Sequence, residues 1–225
     1  MNTSPTSPTP SPTAGYGLAI HTTTPQLGLA IANHDGLIRS QTWDLGRAMS
    51  THLHLYLTEF LQPQTWADLA FIAVARGPGG FTGTRLGVVT ARILAQQLNC
   101  PLFAVSTLAA IAWSAAPTAP ASDIAVEMPA RRGDVFAAIY SLSVNQSANA
   151  TSDLPIKSVL ADTVLAAEAW QQTLAAHPQP YHRVIAEGGL GHTAPHLLEL
   201  ALFDWQRGDR PHWSAALPYY GQSPV

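Results

Sequence analysis

Residues 69–98 read LAFIAVARGPGGFTGTRLGVVTARILAQQL. The first seven residues are a continuous apolar run of strand length, the pattern of a strand buried on both faces. Residues 77–83, Gly-Pro-Gly-Gly-Phe-Thr-Gly, interrupt it, and residues 84–98 return to a long, mostly apolar helical pattern. A glycine-rich turn between strand and helix has two physical uses. It can aim backbone N–H groups at a phosphate, or it can let the helix approach the sheet closely. The sequence favours the second use. A P-loop ends in Gly-Lys-Ser/Thr, whereas Thr82-Gly83-Thr84-Arg85 stands here, and the Gly-x-Gly-x-x-Gly spacing of a dinucleotide loop is also missing.

Upstream, 16–22 and 27–33 are short apolar runs, and His34-Asp35-Gly36 is a hairpin turn signal before the alternating stretch 37–45. Residues 52–61 place Leu53, Leu57, Phe60 and Leu61 on one helical face, and Gln62-Pro63 ends that helix. Downstream, 102–105 reads as a strand and 108–114 as a helix stopped by the Pro/Ala/Ser stretch 115–122. Strands at 123–128 and 134–143 flank Arg131-Arg132-Gly133. A polar loop at 145–153 precedes a weak strand at 158–160. A helix at 166–176, a strand at 183–186 broken by Glu187-Gly188-Gly189, and a helix at 195–205 complete the pattern. The order β-β-β-α-β-α-β-α, followed by a degraded second pass, predicts a mixed α/β fold. Its expected parts are a Ser/Thr/Pro tail over 1–15, an N-terminal lobe over 16–114, and a reduced second lobe with a C-terminal tail over 115–225.

Composition narrows the functional classes. Of 225 residues 47% are hydrophobic and 11% charged, so much of the surface is neutral or apolar, as expected of a chain partly covered by a partner. Net charge is −3, with ten Arg and the single Lys157. Direct nucleic-acid binding needs a basic stripe, and the densest basic spot is Arg131-Arg132, so any role at a nucleic acid is expected to be indirect. The single cysteine, Cys100, excludes an internal disulfide framework and fits a reducing compartment. No apolar run reaches the roughly 20 residues of a membrane span. The tail MNTSPTSPTPSPTA matches neither a secretory signal nor an Arg-rich transit peptide. The expected location is the cytoplasm, with no membrane partner.

Catalytic constellations are hard to find. His52 and His54 lie two apart on a helix and point about 200° away from each other, so they cannot share one ion. The other histidines are scattered, and no metal site is expected. There is no Gly-x-Ser-x-Gly nucleophile elbow. Asp35, Asp44, Glu59 and Asp68 fall in turns or on helix exteriors rather than as a pair. No catalytic residue is assigned.

The segment GPGGFTGTRLG at 77–87 resembles the GPGSFTGLRIG signature of the TsaB (YeaZ-like) family of tRNA threonylcarbamoyladenosine biosynthesis subunits. Further segments agree in order: LAIHTTT at 18–24 resembles LAIDTST, and His52 with its leucines resembles HSExLLP. VSTL at 105–108 matches VSTL, and ARRGDVF at 130–136 resembles the DARRGEVY segment. Glu187-Gly188-Gly189 corresponds to a glycine turn, and Pro218-Tyr219-Tyr220 is similar to PxYLR.

The resemblance implies an actin-like/Hsp70-like ATPase-type fold (ribonuclease H-like) in two lobes, the second reduced. It implies an inactive paralogue of TsaD, glycoprotease M22-like, that supports threonylcarbamoyl transfer to adenosine 37 of tRNAs reading codons that start with A. Expected partners are a TsaD-like catalytic subunit and a TsaE-like ATPase, with a homodimer when the chain is alone. ATP and metal are expected on those partners and no cofactor on this chain. The signature residues are Gly77, Pro78, Gly79, Gly80, Phe81, Thr82, Gly83 and Arg85. By resemblance the two first-lobe helices, about 52–61 and 84–98, meet TsaD, with Leu55, Thr58, Val88 and Arg92 as outward positions. Three residues depart from the family pattern: His21 and Pro129 each stand for an aspartate, and Gly80 for a serine. Two other classes remain open, a nucleotide-dependent phosphotransferase or ATPase of the same fold and a glycoprotease-like hydrolase.

Overall fold

A computed structural model of the protein describes residues 15–118, 123–142 and 155–222. The expected tail and the polar loop at 145–153 lie outside the described residues. Strands β1 (Tyr16–His21), β2 (Gln26–Asn33) and β3 (Gly36–Asp44) form an antiparallel meander. Its second turn is set by Asn33, whose Oδ1 accepts the Asp35 N–H at 2.9 Å, and by Gly36 at φ +123°. Helix α1 (Met49–Leu61) follows and buries Met49, Leu53, Leu57, Phe60 and Leu61. Arg39 on β3 closes the end of α1. Its guanidinium donates to the Phe60 and Leu61 carbonyls at 2.6 and 2.9 Å, groups that a helix terminus leaves without intrahelical partners.

Strand β4 (Leu69–Ala75), helix α2 (Phe81–Leu98) and strand β5 (Leu102–Val105) continue the chain. The first sheet has the order β3-β2-β1-β4-β5, with β1, β4 and β5 parallel. This is the mixed sheet expected of an actin-like, ribonuclease H-like lobe. One face carries Leu18, Ile20, Leu29, Ile72 and Val74 beneath α1 and α2. The opposite face carries the small side chains Ala19, Ala30, Ala32, Ala73 and Ala75 together with the rings of Phe71 and Phe103.

Helix α3 (Thr107–Ala115) crosses to the second sheet. Ser106 caps it, accepting the Leu108 and Ala109 N–H groups at 3.1 and 3.2 Å. Strands β6 (Asp123–Pro129), β7 (Asp134–Leu142), β8 (Ile156–Ala166) and β9 (Tyr181–Ile185) pair in the order β8-β7-β6-β9. Helix α4 (Ala167–Ala175) covers the outer face with Trp170 and Leu174 on Ala125, Ala137 and Ile139. Buried Glu127 is satisfied by the Trp170 indole N–H and by Arg183 at 2.8 Å.

Two expectations change. The weak strand at 158–160 is the middle of an eleven-residue edge strand, β8. It is largely solvent-facing and its register shifts twice against β7, so no period-2 apolar alternation marks it. Helix α5 (Ala194–Gln206) lies in the stretch 115–225 assigned to the second lobe, yet it packs on the first sheet. The alanine-lined rear face of that sheet needs a cover, and Leu197, Leu198 and Ala201 of α5 supply it. The two lobes are thus cross-braced, α3 running to the second sheet and α5 returning to the first.

The join between β1 and α2 leaves no room for a side chain at two glycines. A Cβ at Gly83 would overlap the Thr22 carbonyl oxygen, and one at Gly87 would overlap the Thr22 hydroxyl. That hydroxyl donates to the Gly83 carbonyl at 2.8 Å. Gly83→Ala is therefore expected to destabilise the protein by about 2–3 kcal/mol, since backbone must move to admit the methyl. A urea titration would register this as a lower midpoint with an unchanged slope.

Candidate functional site

The glycine loop lies at the edge of a cleft of about 830 Å³ between the two sheets. Thr22–Thr24, Met49 and residues 79–83 line it from the first lobe, Met128–Arg131 and Phe136 from the second, and Tyr220 and Gln222 from the C-terminal segment. Glu187 and Gly188, at the glycine turn after β9, also contribute. These residues come from six separated stretches, and sequence spacing singled out only the glycine loop among them as a candidate site.

The loop's own geometry agrees with close packing rather than a phosphate cradle. The Gly80 N–H donates to the Thr23 carbonyl at 2.7 Å, so one of the amides an anion would require is already used. Gly79 lies against Thr23, and Gly77, at φ +104°, lies against the Tyr219 carbonyl. Phe81 stacks on Tyr220 at 4.4 Å between centroids, and the Arg85 guanidinium sits 4.9 Å from the Phe81 ring on the exposed side of α2. Pro129 and Gly80 both line the cleft, so two of the three departures from the family pattern remove a polar side chain from its wall.

The two first-lobe helices occupy one layer on the same face of the first sheet. Leu55 is 51% exposed and Thr58 is exposed, with its hydroxyl bound to the His54 carbonyl at 2.9 Å. Arg92 is half-buried, with its guanidinium 5.8 Å from the Trp213 ring. Val88 does not point outward: it is fully buried against the sheet. The buried face of α2 is Thr84, Gly87, Val88, Ala91 and Ala95, and its outward apolar residues are Val89 and Ile93, 47% and 54% exposed. The error is a rotation of one residue, about 100°. The small residues at 87, 91 and 95 could have revealed it, because a helix pressed on a sheet by a glycine contact turns its small side chains inward.

His52 Nδ1 lies 3.1 Å from the Ala48 carbonyl oxygen within its own helix. Among the described residues no group of three His, Cys, Asp or Glu side chains is placed to hold a metal ion. No helix among them is long and apolar enough to cross a membrane. Cys100 is buried, and that burial pushes its thiol up to about 11, so it stays protonated at neutral pH.

Comparison with known proteins places these features. The family model for TsaD, tRNA N6-adenosine threonylcarbamoyltransferase, matches residues 52–169. The chain is 35% identical over 132 residues to the tRNA threonylcarbamoyladenosine biosynthesis protein TsaB of Bacillus subtilis, covering 55% of this chain and 54% of that protein. It is 31% identical over 130 residues to TsaB of Escherichia coli, covering 57% and 56%. The matches thus span about half the length of these curated relatives. Among solved structures, a Pseudomonas aeruginosa protein described as similar to peptidase YEAZ aligns with a TM-score of 0.74 and 26% identity, over 92% of this chain and 100% of that one.

The third departure from the family pattern, His21, has a measurable consequence. Its side chain is fully buried at the end of β1, with Nε2 3.5 Å from the Thr23 hydroxyl. Burial first, and then the neighbouring His192, push its pKa down to about 3. An unfolded histidine titrates near 6.5. Between those values the unfolded chain takes up a proton that the folded one refuses. Stability is therefore fully present above about pH 6.5 and falls by roughly 1.4 kcal/mol per pH unit below it. His21→Gln is expected to flatten this acid limb between about pH 6.5 and 5, read as the difference in unfolding free energy against pH. An acid limb of unchanged slope would assign it to other groups.

Proposed function

The chain belongs to the TsaD family, tRNA N6-adenosine threonylcarbamoyltransferase, with TsaB proteins among its relatives, and on that premise we propose that it is a non-catalytic partner subunit. In this reading it binds and stabilises a TsaD-like catalytic subunit during threonylcarbamoyl transfer to adenosine 37 of tRNAs that read codons starting with A. A TsaE-like ATPase joins the assembly. ATP and metal belong to those partners, tRNA is touched only indirectly, the chain pairs with itself when alone, and it works in the cytoplasm.

The observation that carries the proposal is a set of half-exposed aliphatic side chains on the two first-lobe helices, Leu55 on α1 and Val89 and Ile93 on α2. Isolated exposed aliphatics need no explanation, but three at about half exposure in one helical layer form a face that water solvates poorly. Thr58 extends it, its hydroxyl being already bonded within the helix. Polar residues flank it, Glu59 on α1 and Arg85 on α2, as in the rim of a protein interface. The cleft supports the same division of labour. The Gly80 amide is bonded to Thr23, and among the described residues that line the cleft Glu187 is the single carboxylate, without a second to pair with it.

The test is reconstitution of threonylcarbamoyladenosine on tRNA from purified TsaC-, TsaD- and TsaE-type proteins, with or without this chain. Product is expected only when the chain is added; equal product without it refutes the role. The double substitution Val89→Asp with Ile93→Asp should weaken binding to the TsaD-type subunit by about 30-fold or more while leaving circular dichroism and Tm nearly unchanged. Val88→Asp, by contrast, should unfold or severely destabilise the chain, because it buries an unpaired charge in the core.

A further inference from the structure

Away from the partner-binding face, one carboxylate joins segments of both lobes. Asp162 lies on β8 of the second sheet with its side chain 5% exposed. Its Oδ1 accepts the Ser106 hydroxyl at 2.9 Å and the Tyr140 hydroxyl at 2.9 Å. Ser106 is the cap of α3, at the point where the chain leaves the first sheet for the second. The Asp162 Oδ2 lies 3.7 Å from the guanidinium of Arg76, the residue between β4 and the glycine loop. The main-chain carbonyl of Asp162 accepts the Tyr219 hydroxyl at 2.8 Å.

Tyr219 anchors the C-terminal strap. Its N–H donates to the Arg76 carbonyl at 2.7 Å, and its ring centre lies 5.8 Å from the Arg76 guanidinium. Beyond it, Tyr220 rests on Phe81 of α2, and the Gln222 side chain bonds Asp134 at 2.8 Å and the Arg131 N–H at 3.0 Å in the second lobe. The strap thus runs from the first lobe to the second along one wall of the cleft. Burial and the Asp162 charge hold the Tyr140 phenol well above its usual range, so it remains a hydrogen-bond donor at any physiological pH.

We propose that Asp162, with Ser106, Tyr140, Arg76 and Tyr219, is an interlobe clasp that fixes the angle between the two sheets and holds the strap along the cleft. A buried carboxylate held by two hydroxyls and a nearby guanidinium is costly to open, because each donor lost leaves a charge poorly solvated. Four chain segments meet at this group: the end of β4, the α3 cap, the second sheet and the strap. Rotation of one lobe against the other must break the group, so the cleft keeps one width while the clasp is closed. The proposal does not depend on the partner-subunit role.

The test uses the full-length chain with spin labels on Gln97→Cys in α2 and Lys157→Cys in β8, both exposed positions on opposite lobes. Cys100 is buried and is replaced by Ala in the same background. Two variants are compared, Asp162→Asn, which removes the charge facing Arg76, and Tyr219→Phe, which removes only the strap's hydroxyl bond. The expected result for Asp162→Asn is a broadened interlobe distance distribution with faster amide exchange in residues 216–222. Tyr219→Phe should quicken exchange in the same segment by about tenfold, the loss of one hydrogen bond. A folded Asp162→Asn protein whose interlobe distances match the unsubstituted chain overturns the proposal, even if the strap loosens. If Asp162→Asn does not fold, Tyr219→Phe decides by the same interlobe distances: an unchanged distribution overturns the clasp, and a broadened one with faster exchange in 216–222 upholds it.

Discussion

The contact on which the rest of the structure depends is the seating of α2 against the turn after β1. Gly83 and Gly87 meet Thr22 with no room for a side chain, and the Thr22 hydroxyl closes the contact on the Gly83 carbonyl. Once the helix is that close, its sheet-facing positions must be small or slender, as Ala91 and Ala95 are. The larger Val89 and Ile93 are left outside. The same glycines that build the core therefore create the exposed apolar face. Core packing and the exposed aliphatic side chains are two consequences of one helix position.

This explains which parts of the protein could be read from its sequence. The strand-loop-helix segment 69–98 was legible because a doubly buried strand, a glycine turn and a long helix differ sharply in pattern. The face of α2 was not. With Leu86, Val88, Val89, Ile93 and Leu94 spread around the helix, periodicity in large apolar residues leaves the inward direction ambiguous by about one position. The return of α5 to the first sheet was equally hidden, since an amphipathic helix states that it has an apolar side but not which sheet it meets. Asp162 carried no signal at all. It sits in an edge strand whose irregular register erases alternation, and its partners lie 22, 56 and 57 residues away in sequence.

The cleft between the lobes has a largely apolar wall. It includes Met49, Met128, Phe136 and Pro129, and a loop amide facing it is bonded to Thr23. His21, buried and held neutral behind the β1 turn, is not among the described residues that line that cavity. Around it stand two sheets, a crossing helix in each direction, and a strap. Such a scaffold holds two surface helices at a fixed spacing, which is what a partner surface requires.

Size bears on how that surface would work. Helices of thirteen and eighteen residues are about 20 and 27 Å long, and at a width of about 10 Å each they present roughly 470 Å² in projection. A stable protein-protein interface buries about 800 Å² on each partner. The two helices therefore cannot be the whole contact, and surface beyond them must join their aliphatic side chains as a polar rim. An interface built that way draws its energy from a few central aliphatic side chains and its register from the charged edge. Both helices must then stay fixed relative to each other. Their common seat on one face of the first sheet provides that rigidity, with Arg39 closing the end of α1 and Gly83 and Gly87 locking the start of α2.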